Sequence, residues 1–155
     1  LKNDYDELGI KLEVIHHSQF IDELIQSKKI SPKAWIDNDI TFHDPCYLGR
    51  HNGEYEAPRS VLQSVLKNGK IKEMDQSKSE SFCCGAGGGN MWYEIKTGDR
   101  INQDRVKQAV KTDAKTVAAA CNFCNIMLED GVKTTGNENN INVLDIAEMV
   151  SEGLK

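Results

Sequence analysis

An α/β fold is the reading this sequence supports: Rossmann-like βαβ units, with a mainly parallel sheet of four to five strands flanked by helices. Two observations predict it. Short apolar runs alternate along the chain with longer segments whose apolar residues recur at helical spacing. Cysteines follow those short runs, where parallel sheets place ligand-binding residues. The length of 155 residues suits one domain with a single core, and its bounds are set at 1–155.

The elements follow in order. Residues 12–17 read as a first strand, and Ser18 is placed to cap a helix in which Phe20, Ile21, Leu24 and Ile25 share a face. Lys28 and Lys29 suit the negative end of its dipole. Residues 39–43, with Ile40 and Phe42 alternating, predict a second strand running directly into Asp44-Pro45-Cys46. The polar stretch 47–56 is a loop. Pro58 opens a helix carrying Val61, Leu62, Val65 and Leu66, and Asn68-Gly69 ends it. Residues 70–74 predict a third strand and 77–90 a loop rich in Ser and Gly. A helix is expected from Met91 onward, breaking at Thr97-Gly98-Asp99 and resuming over 101–110. Lys107 and Lys111 mark its solvated face. Residues 116–120 form a small buried strand ending at Cys121, before a helix with Ile126, Met127 and Leu128. A polar turn at 134–140 leads to a last strand, 141–144, and a last helix, 147–154.

Composition narrows the function classes. Hydrophobic content of 39% and charged content of 28% are those of ordinary globular chains. The formal net charge of −5 argues against a nucleic-acid surface. No run approaches the ~18 apolar residues of a membrane span. The start lacks an initiator Met and any targeting pattern, so the chain is read as a fragment of a longer protein. A cytoplasmic setting is expected, at the inner face of the membrane if regions outside the fragment anchor it. Five cysteines cannot all pair within one chain, which favours a reducing compartment and metal ligation.

The cysteines form the pattern C-x36-C-C-G-x36-C-x2-C through Cys46, Cys83, Cys84, Cys121 and Cys124. Cys121 and Cys124 open a predicted helix, whose N-terminal amides favour thiolate. Adjacent Cys83 and Cys84 sit in a loop where Gly85, Gly87, Gly88 and Gly89 allow close approach to a bulky anionic inorganic group. The amides of these glycines are candidates for hydrogen bonding to sulfur. Tetrahedral zinc takes four ligands, whereas a multi-iron cluster can use five thiolates. An iron–sulfur cluster is therefore the leading reading. Structural zinc and a metal-free dithiol redox pair stay open.

Three stretches then carry a family resemblance: His43-Asp44-Pro45-Cys46-Tyr47-Leu48-Gly49-Arg50, Phe82-Cys83-Cys84-Gly85-Ala86-Gly87-Gly88-Gly89 and Cys121-Asn122-Phe123-Cys124. Together they resemble the cysteine-rich CCG domain of heterodisulfide reductase subunits B and D, of the glycerol-3-phosphate dehydrogenase C subunit and of related iron–sulfur oxidoreductases. The likeness runs from about Val14 to about Val150 and is strongest to the C-terminal of two such domains in long subunits. It implies a non-cubane [4Fe-4S] cluster held by Cys46, Cys83, Cys84, Cys121 and Cys124. It also implies partners that are other iron–sulfur or flavoprotein subunits of a redox complex, with a disulfide or a quinone as substrate. Many relatives have Pro where this chain has Asn122, whose backbone N–H adds a hydrogen-bond donor. Some relatives bind zinc in one CCG domain, so a zinc docking module is the alternative.

Other residues are weighed beside the cysteines. His43 is a candidate hydrogen-bond donor behind the ligands, or a proton relay, as readily as a strand-end histidine satisfied by backbone. Asp44 is expected to hold the turn. Arg50 and His51 read as a solvated loop, although an anionic substrate or a partner is a second use. His16 and His17 are expected to stay out of the site. Trp92 and Tyr93 are expected to pack their helix onto the sheet rather than roof the cluster. Gly85 to Asn90 mimics a dinucleotide loop only in part, because Asn90 replaces the third Gly.

Overall fold

In the computed structural model, which describes residues 2–93 and 97–155, three strands pair in parallel: β1 (Ile40–His43), β2 (Thr116–Ala119) and β3 (Asn142–Asp145). They lie in the order β1-β2-β3. The register pairs His43 with Ala119 and Ala119 with Asp145, so the three carboxyl ends finish level.

Six α-helices accompany this sheet among the described residues: α1 (Lys2–Glu7), which is exposed throughout, α2 (His17–Gln26), α3 (Glu56–Val65), α4 (Ile101–Val110), α5 (Asn122–Thr134) and α6 (Ile146–Gly153). Alternation along the strands sends apolar side chains to both faces. Ile40, Phe42 and Ala118 join a core with Val61, Leu62 and Val65 of α3 and Ile146 and Met149 of α6. Val117 and Ala119 face the opposite way, toward Val106 and Ala109 of α4 and Met127 and Leu128 of α5. Close packing of α4 on α5 depends on Gly131, where a Cβ would stand 2.9 Å from the Asn102 carbonyl oxygen. The turn from β3 into α6 is fixed by Asp145, which accepts from the Ala147 amide while Glu148 accepts from the Asp145 amide.

The sheet corrects the expected count of four to five strands. Residues 12–17 pair with nothing among the described residues. His16 commits its polar groups to α2 instead: its Nδ1 accepts from the Ser18 amide and its own amide donates to Gln19 Oε1. His16, not Ser18, is the cap, and Ser18 is buried against the His16 ring. Residues 70–74 make one parallel bridge, Ile71 with Ile40. Past Lys72, Glu73 is drawn to Arg59 and Met74 enters the core on the other face. A short helix at Lys2–Glu7 was not foreseen. Around Met91 the backbone forms a 3-10 turn, Gly87–Trp92, and residues 94–96 of the expected helix lie outside the described residues.

Candidate metal centre

Parallel strands deliver their following loops to one edge, and that edge gathers the cysteines. Cys46 lies three residues beyond β1, and Cys121 is the cap residue of α5 just past β2. Cys83 and Cys84 follow no strand; polar ties bring their loop to the edge. Ser81 Oγ donates to the Asp44 carbonyl at 3.1 Å, and the Lys78 amide donates to Asp44 Oδ2 at 2.8 Å. Arg50 donates to the Ser81 carbonyl, joining the Cys46 loop to the Cys83 loop. Arg50 and His51 are exposed, as a solvated loop would be, yet Arg50 is also a structural tie and His51 stacks beside Tyr47.

Asp44 itself is anchored from below. Its buried carboxylate accepts Arg59 Nη1 at 2.8 Å and Nη2 at 3.0 Å. Arg59 also grips Glu73 and lies over the Phe42 ring. Those anions outweigh the desolvation of the guanidinium and hold it firmly charged.

The cysteines line two adjoining hollows. A small one, with room for about one water, is bounded by His43, Cys46, Cys83, Cys84 and Cys124. A larger one of about 530 Å³ takes in Cys46, Cys121 and Cys124 with His16, His17 and Tyr47. Cys46 and Cys124 line both, so the two hollows adjoin and between them take in all five cysteines, three of which border the larger one, whose volume suits a polynuclear group. His16 and His17 thus line the region, contrary to expectation, with rings 4.1 Å apart. Tyr47 and Phe123 stand exposed at its rim. Trp92 and Tyr93 do not pack on the sheet; Trp92 is 79% exposed.

Electrostatics differ from sulfur to sulfur. Cys124 Sγ donates to Cys84 Sγ at 3.3 Å. That bond, helped by His43 and the Ala86 amide, pulls the Cys84 thiol down to about 4 against the cost of burial. Cys121 falls to about 6, first through Cys124 and then through the Cys124 and Phe123 amides at the start of α5. Cys124, the donor to both, is pushed far up. Burial, with the neighbouring sulfurs, raises Cys46. In the glycine loop the Gly85 amide donates to Cys83 Sγ at 3.2 Å. Gly85 has φ +91° and lies close against Ile101, so a side chain there would be strained. Gly88, with φ +66°, turns the chain back, while Gly87 has ordinary backbone and open space around it.

Behind the sulfurs lies a residue the sequence reading missed. Arg105 of α4 is fully buried, and its Nε donates to His43 Nδ1 at 3.0 Å. A guanidinium only donates, so the neutral ring carries its proton on Nε2, the nitrogen left for Cys84. His43, Cys84 and Cys124 bring one donor atom each within 4.8 Å of one another. Burial holds the His43 ring below its ordinary value. Burial also lowers Arg105, to about 10, which leaves it charged at neutral pH.

Comparison with known proteins shows what the chain is similar to. The family model described as a cysteine-rich domain, CCG, matches residues 40–129. The "Probable iron-sulfur-binding oxidoreductase FadF" of Bacillus subtilis (strain 168) is 38% identical over 99% of this chain and 22% of its own length. The "EtfAB:quinone oxidoreductase" of Syntrophomonas wolfei is 37% identical over 100% of this chain and 22% of its own. A polypeptide of the "Dihydromethanophenazine:CoB--CoM heterodisulfide reductase" of Methanosarcina barkeri is 43% identical over 94% of this chain and 35% of its own. The chain thus spans between about a fifth and about a third of the length of these relatives. No helix among the described residues is long and apolar enough to cross a membrane. With the family match running from β1 into α5 and enclosing all five cysteines, the chain belongs to the CCG cysteine-rich domain family.

Proposed function

We propose that this chain is the iron–sulfur electron-transfer module of a heterodisulfide-reductase-like oxidoreductase, with Cys46, Cys83, Cys84, Cys121 and Cys124 holding a non-cubane [4Fe-4S] cluster. The observation that carries the reading is the gathering of five cysteines from three separate loops around two adjoining hollows that share Cys46 and Cys124. When bound, such a cluster supplies one-electron chemistry at potentials set by its ligands and their hydrogen bonds. The residues of this chain do the rest. The Gly85 amide draws charge from the Cys83 sulfur, and the amides opening α5 do so at Cys121. His43 offers a hydrogen bond to Cys84. The hollow beside Cys46 and Cys121, rimmed by Tyr47 and Phe123, is open to a disulfide or a quinone. The names of the relatives support partners among flavoproteins and other redox subunits. A relative named "Probable membrane-anchored ferredoxin", 42% identical over 99% of this chain and 23% of its own length, supports a module held at the membrane by regions outside it, which we place on the cytoplasmic side.

One observation favours a second reading. His43, Cys84 and Cys124 bring one donor atom each within 4.8 Å of one another, a spacing that suits a single zinc in a structural docking module, for which His43 would have to give up its bond from Arg105. Counting iron, acid-labile sulfide and zinc on the chain reconstituted without oxygen separates the two, with Cys83→Ser and Cys84→Ser alongside. About four irons and four sulfides, lost in both variants, support the cluster. About one zinc without sulfide, retained by Cys83→Ser, would establish the docking module instead.

A further inference from the structure

Arg105 is a buried cation with no acid bonded to it, although Asp44 and Glu73 act on it through space. Its side chain is completely buried on α4. Its donors reach His43 Nδ1 at 3.0 Å, the Gln76 carbonyl at 2.9 Å, Gln108 Oε1 at 2.7 Å and Ser81 Oγ at 3.2 Å. Every one of those acceptors is neutral. A buried cation is costly unless an anion faces it. The nearby carboxylates are engaged elsewhere: Asp44 holds Arg59 and the Lys78 amide, and Glu73 holds Arg59. Through space Asp44 is the largest favourable charge on Arg105, followed by the hydrogen-bonded Cys84–Cys124 pair, whose thiolate rests on Cys84.

We infer that Arg105 is the built-in countercharge of the metal centre, a positioning residue that acts through His43 and raises the reduction potential of the group held by the cysteines. The inference rests on the iron–sulfur reading above. A set of thiolates around an inorganic core carries excess negative charge, and reduction adds one more. A fixed positive charge behind the sulfurs favours the reduced form. The same guanidinium orients the His43 ring, so the ring N–H is available to sulfur. Neither effect requires Arg105 to touch the cluster or the substrate.

The test is an anaerobic redox titration followed by electron paramagnetic resonance, on the whole chain, with iron and sulfide counted in each sample. Arg105→Gln removes the charge and Arg105→Lys keeps it. Gln108→Glu sets a carboxylate where Gln108 Oε1 now accepts from the guanidinium, neutralising it with almost no change of shape. Arg105→Gln and Gln108→Glu are expected to shift the one-electron equilibrium about tenfold toward the oxidised form, about 59 mV lower. Arg105→Lys is expected to stay within about threefold of wild type, on the same scale. If Arg105→Gln does not fold, Gln108→Glu decides. An unmoved potential in Gln108→Glu with full iron content overturns the inference alone. So does a loss in Arg105→Lys as large as in Arg105→Gln, because shape rather than charge would then be responsible. A wild-type chain that takes up no iron and sulfide overturns the iron–sulfur reading and this inference with it.

Discussion

Replacing Arg59 by Met should cost about 3 kcal/mol, and the structure shows where that cost arises. The guanidinium makes two bonds to Asp44, at 2.8 and 3.0 Å, two to Glu73, at 2.6 and 2.8 Å, and one to the Tyr55 carbonyl at 2.8 Å. The Asp44 side chain is only 2% exposed, so removing its cation leaves a buried carboxylate, a loss of about 3–5 kcal/mol. Glu73 is 37% exposed, and solvent screening limits its share to less than about 1 kcal/mol. The Lys78 amide stays on Asp44 and places the sum near the lower bound, about 3 kcal/mol. For a chain of this size that corresponds to a fall in Tm of about 6–12 °C. Thermal and urea unfolding followed by circular dichroism read it directly. A loss below about 1 kcal/mol, or Glu73→Gln matching Arg59→Met, would refute the assignment of the cost to Asp44. The same variant should retain less iron, because Asp44 ties down the Cys83 loop.

Two further outcomes are expected. In Gly69→Ala the new Cβ would stand 2.0 Å from the Asn38 carbonyl oxygen, and backbone cannot yield that distance; a loss of about 2 kcal/mol or more is expected in urea unfolding, and a change under about 0.5 would count against the close approach. Burial, helped by His17, lowers the His16 pKa below its unfolded value, so the native state resists protonation there. Stability linked to His16 is therefore complete above pH about 6.5 and is lost as pH falls through the lowered native value. His16→Asn, which keeps the cap, should flatten that part of the stability–pH curve; an unchanged curve would exclude His16 as its source.

The sequence anticipated where the cysteines gather better than it anticipated the sheet. An apolar run followed within a few residues by Cys is a local signal, and parallel strands turn it into convergence; this held for Cys46 and Cys121. The Cys83–Cys84 loop was assigned to the same edge through a strand at 70–74 that shrinks to one bridge. What brings the loop there is side-chain bonding from Ser81, Arg50 and the Lys78 amide to groups far away in the chain, which no periodicity encodes. Residues 12–17 read as a strand, but His16 spends its polar groups on the helix cap. Arg105 was missed although a signal exists. It stands one helical turn after Asn102 and one before Ala109, next to Val106, on the face of α4 that is buried. A lone cation in an apolar stripe is the pattern to look for.

The bonds that assemble the cysteine loops have a consequence for how the centre matures. Ser81 to Asp44, Lys78 to Asp44, Arg105 to Ser81 and Arg105 to His43 use no sulfur atom. The entropy of ordering these loops is thus met by the folding of the polypeptide rather than by metal coordination. That distinguishes the domain from small zinc modules that fold only around their ion. Under the proposed function the polypeptide would be a preshaped receptacle, and the metal-free chain is expected to keep its native circular dichroism and a cooperative unfolding transition.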